Sequence, residues 1–60
     1  MKPSKKLKQV FSSNAILNAH FNVFYSSCLN SDTIDKEYLK SLISMLAIYY
    51  DDMLNLYETL

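Results

Sequence analysis

Sixty residues form at most one domain, close to the length below which a chain needs a disulfide, a metal or a partner in order to fold. Half of the residues are hydrophobic and none is glycine, which argues against a turn-rich β protein and favours a few long helices. The net charge is zero, and the single cysteine, Cys28, excludes an intrachain disulfide and a cysteine-based zinc site.

The charges divide the chain into a basic half and an acidic half. Residues 1–30 carry four lysines and no acid, whereas residues 31–60 carry six acids and two lysines. We expect residues 1–8 to be a basic, flexible arm, because positive charge opposes the dipole at the N-terminus of a helix. No secretory signal is expected, because polar residues rather than a continuous apolar run follow the lysine cluster. No membrane span is expected, since the longest nearly apolar run, residues 42–50, is under half the length of a span.

The first predicted helix covers about residues 5–29, where apolar residues recur at alternating spacings of three and four. Its seam consists of Leu7, Val10, Asn14, Leu17, Phe21, Phe24 and Cys28. The polar member, Asn14, either lies near solvent or is a buried amide that fixes the register, as single asparagines do in coiled coils. A helix start or kink within residues 12–14 is an alternative, because serine and asparagine cap helices well.

Residues 30–33 hold the turn-forming side chains between two periodic stretches. We expect Asn30 to take the left-handed conformation that glycine usually adopts, and Ser31 or Asp32 to cap the next helix. That helix is predicted over about residues 33–58. Its seam consists of Leu39, Leu42, Leu46, Tyr49, Met53, Leu56 and Leu60. A loop this short predicts an all-α, antiparallel two-helix hairpin that forms a single domain.

Nine seam residues form the predicted core. They are Leu17, Phe21, Phe24, Leu39, Leu42, Leu46, Tyr49, Met53 and Leu56. Ile43, Tyr50 and Tyr57 recur every seven residues on the flank of the second helix, and a neighbouring helix covers only one stripe of roughly 100°. A lone hairpin would therefore leave these side chains in water. The sequence predicts a partner surface, either a second copy in a homodimeric four-helix bundle or a different protein.

No residue pattern typical of an active site is recognisable. His20 and Cys28 are more than about 10 Å apart along the first helix, and Asp51 and Asp52 point about 100° apart on the second. A phosphate-binding loop rich in glycine is excluded because the chain contains no glycine. We therefore expect a protein that is not an enzyme and that uses no cofactor, metal or small-molecule substrate.

Two classes of function remain open. The leading interpretation is a small cytoplasmic regulatory or adaptor protein, such as a phage or mobile-element inhibitor or antirepressor, that binds another protein through an aromatic and aliphatic helical face. The residues assigned to that face are Ile43, Tyr50, Leu54 and Tyr57. The alternative is a dimeric hairpin that binds RNA or DNA through the arm and the first helix. It would use Lys5, Lys6, Lys8, Asn14, Asn18 and Asn22, although the acidic second helix would repel phosphate.

Two resemblances accompany this interpretation. The predicted architecture is similar to small plasmid-encoded RNA-binding hairpins that dimerise into four-helix bundles. The chain also looks distantly like the short hairpin adaptors that trigger phycobilisome breakdown, in the run Lys36-Glu37-Tyr38-Leu39-Lys40-Ser41-Leu42. Both resemblances imply a helical hairpin, and neither assigns a functional residue to this chain.

Overall fold

The computed structural model describes residues 4–60, which form two α-helices. Helix α1 spans Ser4–Ser31 and helix α2 spans Lys36–Glu58. The two helices pack against each other in an antiparallel hairpin, with Cα extents of 49 × 15 × 10 Å. The all-α two-helix hairpin predicted from the periodicity is therefore the observed fold. Neither helix in the described part of the chain has the length and hydropathy that crossing a membrane requires.

Helix α1 begins before the lysine cluster ends, which differs from the flexible arm expected over residues 1–8. Lys5, Lys6 and Lys8 all lie within α1, where their side chains are exposed. Water and salt screen charges at such positions, so their unfavourable interaction with the helix dipole is small. Residues 1–3 of the predicted arm lie outside the described residues. Helix α1 also continues through residues 12–14, so it does not begin there as the alternative required.

The residue with the left-handed backbone is not the one expected. Asn30 lies in the last turn of α1, and Asp32, with a φ of 55°, adopts the left-handed conformation instead. Aspartate tolerates this region better than most residues because its short polar side chain can hydrogen-bond locally. The expectation for Asn30 is wrong because α1 continues to Ser31, whose hydroxyl donates to the Ser27 carbonyl oxygen at 2.8 Å.

The cap of α2 also lies three or four residues later than expected. Asp35, rather than Ser31 or Asp32, accepts hydrogen bonds from the backbone N–H groups of Glu37 at 3.0 Å and Tyr38 at 3.2 Å. An aspartate side chain in this position satisfies N–H groups that have no partner within the helix. Helix α2 consequently begins at residue 36 rather than at about residue 33.

The helix contact follows a line on α2 that differs from the predicted seam, and we call it the inner line. It shares three half-buried or buried residues with that seam: Leu42, Tyr49 and Leu56. Three other seam residues are exposed instead, by 40%, 52% and 38%: Leu39, Leu46 and Met53. Their places in the inner line are taken by three half-buried residues: Tyr38, Met45 and Asp52. The side of α2 that contacts α1 is thus less apolar than the predicted seam.

The core of the hairpin is very small. Leu42, exposed by 6%, is the one buried residue among residues 4–60, and Leu17 and Phe24 of α1 are half-buried. Phe21, assigned to the core by its spacing, is 55% exposed. Seventeen large hydrophobic side chains of the described residues are exposed. Two cylinders touch along a single line, so a lone hairpin cannot cover a wider apolar surface.

Candidate interaction surface

A second apolar line runs along α2 beside the inner line, and we call it the outer seam. Its residues are Leu39, Ile43, Leu46, Tyr50, Met53, Tyr57 and Leu60. They alternate by four and three, a spacing that keeps side chains on one side of an α-helix and that typifies coiled-coil contacts. All seven are exposed, from 38% at Met53 to 87% at Leu60. The outer seam therefore presents a continuous coiled-coil pattern that α1 leaves uncovered.

The two ends of α2 hold the outer seam in place. Asp35 caps the N-terminal end, and Thr59 caps the C-terminal end. The backbone N–H of Thr59 donates to the Leu56 carbonyl oxygen at 3.1 Å, and its hydroxyl donates to the same oxygen at 2.7 Å. The N–H of Leu60 then donates to the Tyr57 carbonyl oxygen at 3.1 Å. These bonds extend the helical turn far enough to bring Leu60 into line with the outer seam.

A groove of about 280 Å³ lies between the outer seam and α1. Its lining residues are Leu17, Asn18, Phe21, Leu39, Leu42, Ile43 and Leu46. Asn18 is the one polar side chain among them, and its amide donates to the Asn14 side-chain oxygen at 3.0 Å. Buried Leu42 lies at the bottom of this groove. The outer seam is thus continuous with an apolar depression that could receive side chains from a neighbouring helix.

An aromatic cluster fixes the helices near the turn. The Phe24 ring packs edge-on against Tyr38 at 5.6 Å and stacks with Phe21 at 6.3 Å. The Tyr38 hydroxyl donates to the His20 carbonyl oxygen at 3.3 Å and lies 3.2 Å from the His20 Nδ1 atom. This cluster turns Tyr38 towards α1 and leaves Phe21 at the edge of the groove.

A polar contact links the helices closer to the other end of α2. The Ser13 hydroxyl donates to the Asp52 carboxylate, and both residues are half-buried. The neighbouring Asp51 points away from this contact and is exposed. Asp52 lies on the inner line because Ser13 supplies a donor opposite it. As a result, the Asp52 carboxylate contacts α1 at the level where the predicted seam has the Met53 side chain.

The four residues assigned to partner binding lie on or beside the outer seam. Ile43, Tyr50 and Tyr57 belong to it, with exposed fractions of 60%, 60% and 75%, and Leu54 borders it at 39%. The predicted seam of the second helix includes Leu39, Leu46, Met53 and Leu60, so the sequence does not assign them to the partner-binding surface. The signal that could have found them was the alternating spacing that joins them to Ile43, Tyr50 and Tyr57.

The residues of the nucleic-acid interpretation all lie on α1. Lys5, Lys6 and Lys8 are exposed in the first turns of α1. Asn14 is half-buried and bonded to Asn18, which lines the groove beside the outer seam. Asn22 lines a separate shallow depression of about 630 Å³ near the end of α1. Binding of nucleic acid through these residues stays a prediction.

Few groups capable of acid–base or metal chemistry approach one another. Within residues 4–60, no three histidine, cysteine, aspartate or glutamate side chains are grouped as a metal ion would require. Cys28 is a half-buried free thiol in α1, and His20 contacts Tyr38.

The fold and this surface define a class: a two-helix hairpin with an uncovered coiled-coil line. Comparisons with protein-family models, curated proteins and solved structures give no match to the chain.

Proposed function

We propose that this chain is a small, non-enzymatic regulatory or adaptor protein that acts by binding proteins through the outer seam of α2. The observation that supports the proposal is the exposure of seven large apolar side chains along one helix of a chain with so little core. A large apolar side chain left in water forgoes about 1.5–3 kcal/mol of burial free energy. Contiguous apolar surfaces of this kind are typical of protein interaction sites.

The composition of the outer seam suits recognition of a helical partner. Leu39, Ile43 and Leu46 border the groove and can interdigitate with a neighbouring helix, as in other helix-in-groove complexes. Tyr50 and Tyr57 add large rings whose hydroxyl groups can remain in water at the edge of an interface. Aromatic anchors of this type contribute a large share of the free energy of binding in protein complexes.

The proposal includes a homodimer in which two hairpins form a four-helix bundle, because a second hairpin supplies the apolar surface that each lacks. It also places the protein in the cytoplasm, where a lone thiol such as Cys28 stays reduced. A phage or mobile-element inhibitor or antirepressor is the kind of regulator that this short, glycine-free chain suggests.

Affinity capture with matched variants tests the protein-binding function. Purified wild-type chain, Tyr57→Ala and Ile48→Ala would be used as baits, and any captured protein would then be purified and titrated calorimetrically. Ile48 is 59% exposed but lies on the opposite side, in a groove with Ser13, Ile16 and Met45. We expect Tyr57→Ala to weaken binding by roughly tenfold or more and Ile48→Ala to preserve it. Equal losses in both variants would contradict the assignment of the outer seam.

The nucleic-acid alternative makes a different prediction. Binding to RNA or DNA through Lys5, Lys6 and Lys8 would weaken steeply as salt rises, because phosphate contacts release counterions. It would disappear when these lysines are changed to alanine and persist in Tyr57→Ala. An electrophoretic mobility assay with duplex and single-stranded oligonucleotides at two salt concentrations separates this result from protein binding.

A further inference from the structure

We infer that the outer seam binds a second copy of this chain, with the two α2 helices antiparallel and the twofold axis at the level between Leu46 and Tyr50. This inference rests on the proposed function and deepens it by naming the partner of the same surface and its orientation. Three features of α2 support it: the sizes of the residues along the outer seam, the distribution of charge along the helix, and the extent of the exposed surface.

The order of residue sizes favours antiparallel pairing. The first half of the outer seam carries branched aliphatic residues, Leu39, Ile43 and Leu46, and most of the second half carries longer ones. When two copies run antiparallel, each layer of the contact combines one residue from each half. The layers are Leu39 with Tyr57 of the second copy, Ile43 with Met53 of the second copy, and Leu46 with Tyr50 of the second copy.

Each of these layers combines a branched aliphatic side chain with a longer one, so the layers are alike in width, and Leu60 lies beyond the last of them. A parallel pair would instead place Tyr50 against Tyr50 and Leu46 against Leu46, so that wide and narrow layers alternate. Protein interiors are packed at nearly uniform density, and layers that differ in width leave voids or force the helices apart. The antiparallel arrangement therefore fits two straight helices better.

The charges along α2 are complementary in the same orientation. Lys36 and Lys40 outnumber Glu37 at the N-terminal end of α2, whereas the charged residues of its second half are all acids: Asp51, Asp52 and Glu58. An antiparallel partner brings the lysine-rich end of each α2 helix to the level of the acidic end of the other. A parallel partner would place like charges together. Exposed charges of this kind select orientation and partner more than they strengthen binding.

The chain exposes several times the surface that a standard dimer interface takes from each partner. Standard interfaces take roughly 800 Å² from each partner, about a sixth of the 5107 Å² that this chain exposes. The outer seam runs the full length of α2, and the groove beside it adds Leu17 and Phe21. The outer seam and the groove thus offer a second copy one continuous apolar surface.

A matched pair of isoleucines tests the surface. Ile43 is 60% exposed on the outer seam, and Ile48 is 59% exposed on the opposite side of the same helix. Sedimentation equilibrium should give wild-type chain and Ile48→Asp about twice the 7.0 kDa chain mass at micromolar concentration. Ile43→Asp should dimerise at least about 100-fold more weakly, because its carboxylate would be buried without a partner. A monomeric wild-type chain, or equal effects of both substitutions, would overturn the inference.

Cross-linking tests the orientation even if an aspartate variant fails to fold. In a Cys28→Ser background, chains carrying Leu39→Cys are mixed with chains carrying Tyr57→Cys and oxidised. Antiparallel pairing predicts mixed disulfide dimers, while residues 39 of two copies lie roughly 27 Å apart along the axis. Self-linked Leu39→Cys dimers with few mixed ones would show parallel pairing and overturn the orientation.

The two proposals can fail separately. A wild-type chain that is monomeric but binds another protein through Tyr57 would refute the second copy and leave the protein-binding function intact. A stable antiparallel dimer from which no protein is captured would support the second copy and refute the adaptor function.

Discussion

Leu42 is the residue on which the stability of the hairpin most depends. It is 6% exposed at the bottom of the contact between α1 and α2, where removal of a leucine side chain leaves a cavity. We expect Leu42→Ala to lower the free energy of unfolding by about 2–3 kcal/mol, measured by urea denaturation and circular dichroism. Leu29→Ala is the control, because Leu29 is 64% exposed and should change stability by less than about 0.5 kcal/mol. Similar losses in both would contradict a core centred on Leu42.

Asp35 has a different role, since its carboxylate satisfies two backbone N–H groups at the start of α2. Replacement by alanine leaves these donors without a partner in the protein and should cost about 1 kcal/mol. Asp35→Asn keeps a side-chain oxygen and should retain most of this stability. Thermal unfolding of the two variants measures the difference. An equal loss in both would mean that the charge of Asp35, rather than its hydrogen bonds, stabilises α2.

At the scale of the helices, the Ser13–Asp52 hydrogen bond helps to determine which side of α2 contacts α1. Ser13→Ala and Asp52→Ala should each destabilise the hairpin, and the double variant should lose less than the sum of the two. A coupling of about 1 kcal/mol or more is typical of hydrogen bonds to charged groups. Urea denaturation of all four proteins gives this value. Asp51→Ala is the matched control, because Asp51 is exposed and should not couple to Ser13.

The helices and their short connection could be predicted from the sequence, whereas the contact between them could not. The periodicity of α2 fits two lines equally well, because Leu42, Tyr49 and Leu56 belong to both. One line adds Leu39, Leu46 and Met53, and it is the more apolar. The other adds Tyr38, Met45 and Asp52, and it is chosen because Ser13 and the ring of Phe24 lie opposite. Such a choice depends on tertiary partners, which the spacing within one helix does not reveal.

The same ambiguity explains why the outer seam was only partly predicted. Its flank residues Ile43, Tyr50 and Tyr57 stood out by their spacing of seven, but Leu39, Leu46 and Met53 were assigned to the hairpin core. Because α1 contacts the inner line of α2, these three residues stay exposed and form one continuous line with the flank residues. The turn was mispredicted for a related reason, since several good capping side chains compete within residues 30–35 and the end of α1 decides among them.

At the scale of the whole molecule, a hairpin in which Leu42 is the one buried residue among residues 4–60 is short of the surface burial that holds small domains together. If the outer seam binds a second copy, folding and association are coupled, and the midpoint of thermal unfolding should rise with protein concentration. We expect the midpoint of the wild-type chain to rise by several degrees over a hundredfold increase in concentration, followed by circular dichroism at 222 nm. Ile48→Asp should show the same dependence, while Ile43→Asp should unfold at a lower temperature that does not change with concentration. A wild-type midpoint independent of concentration would mean that the hairpin is stable alone, and the exposed outer seam would then be free for a different protein.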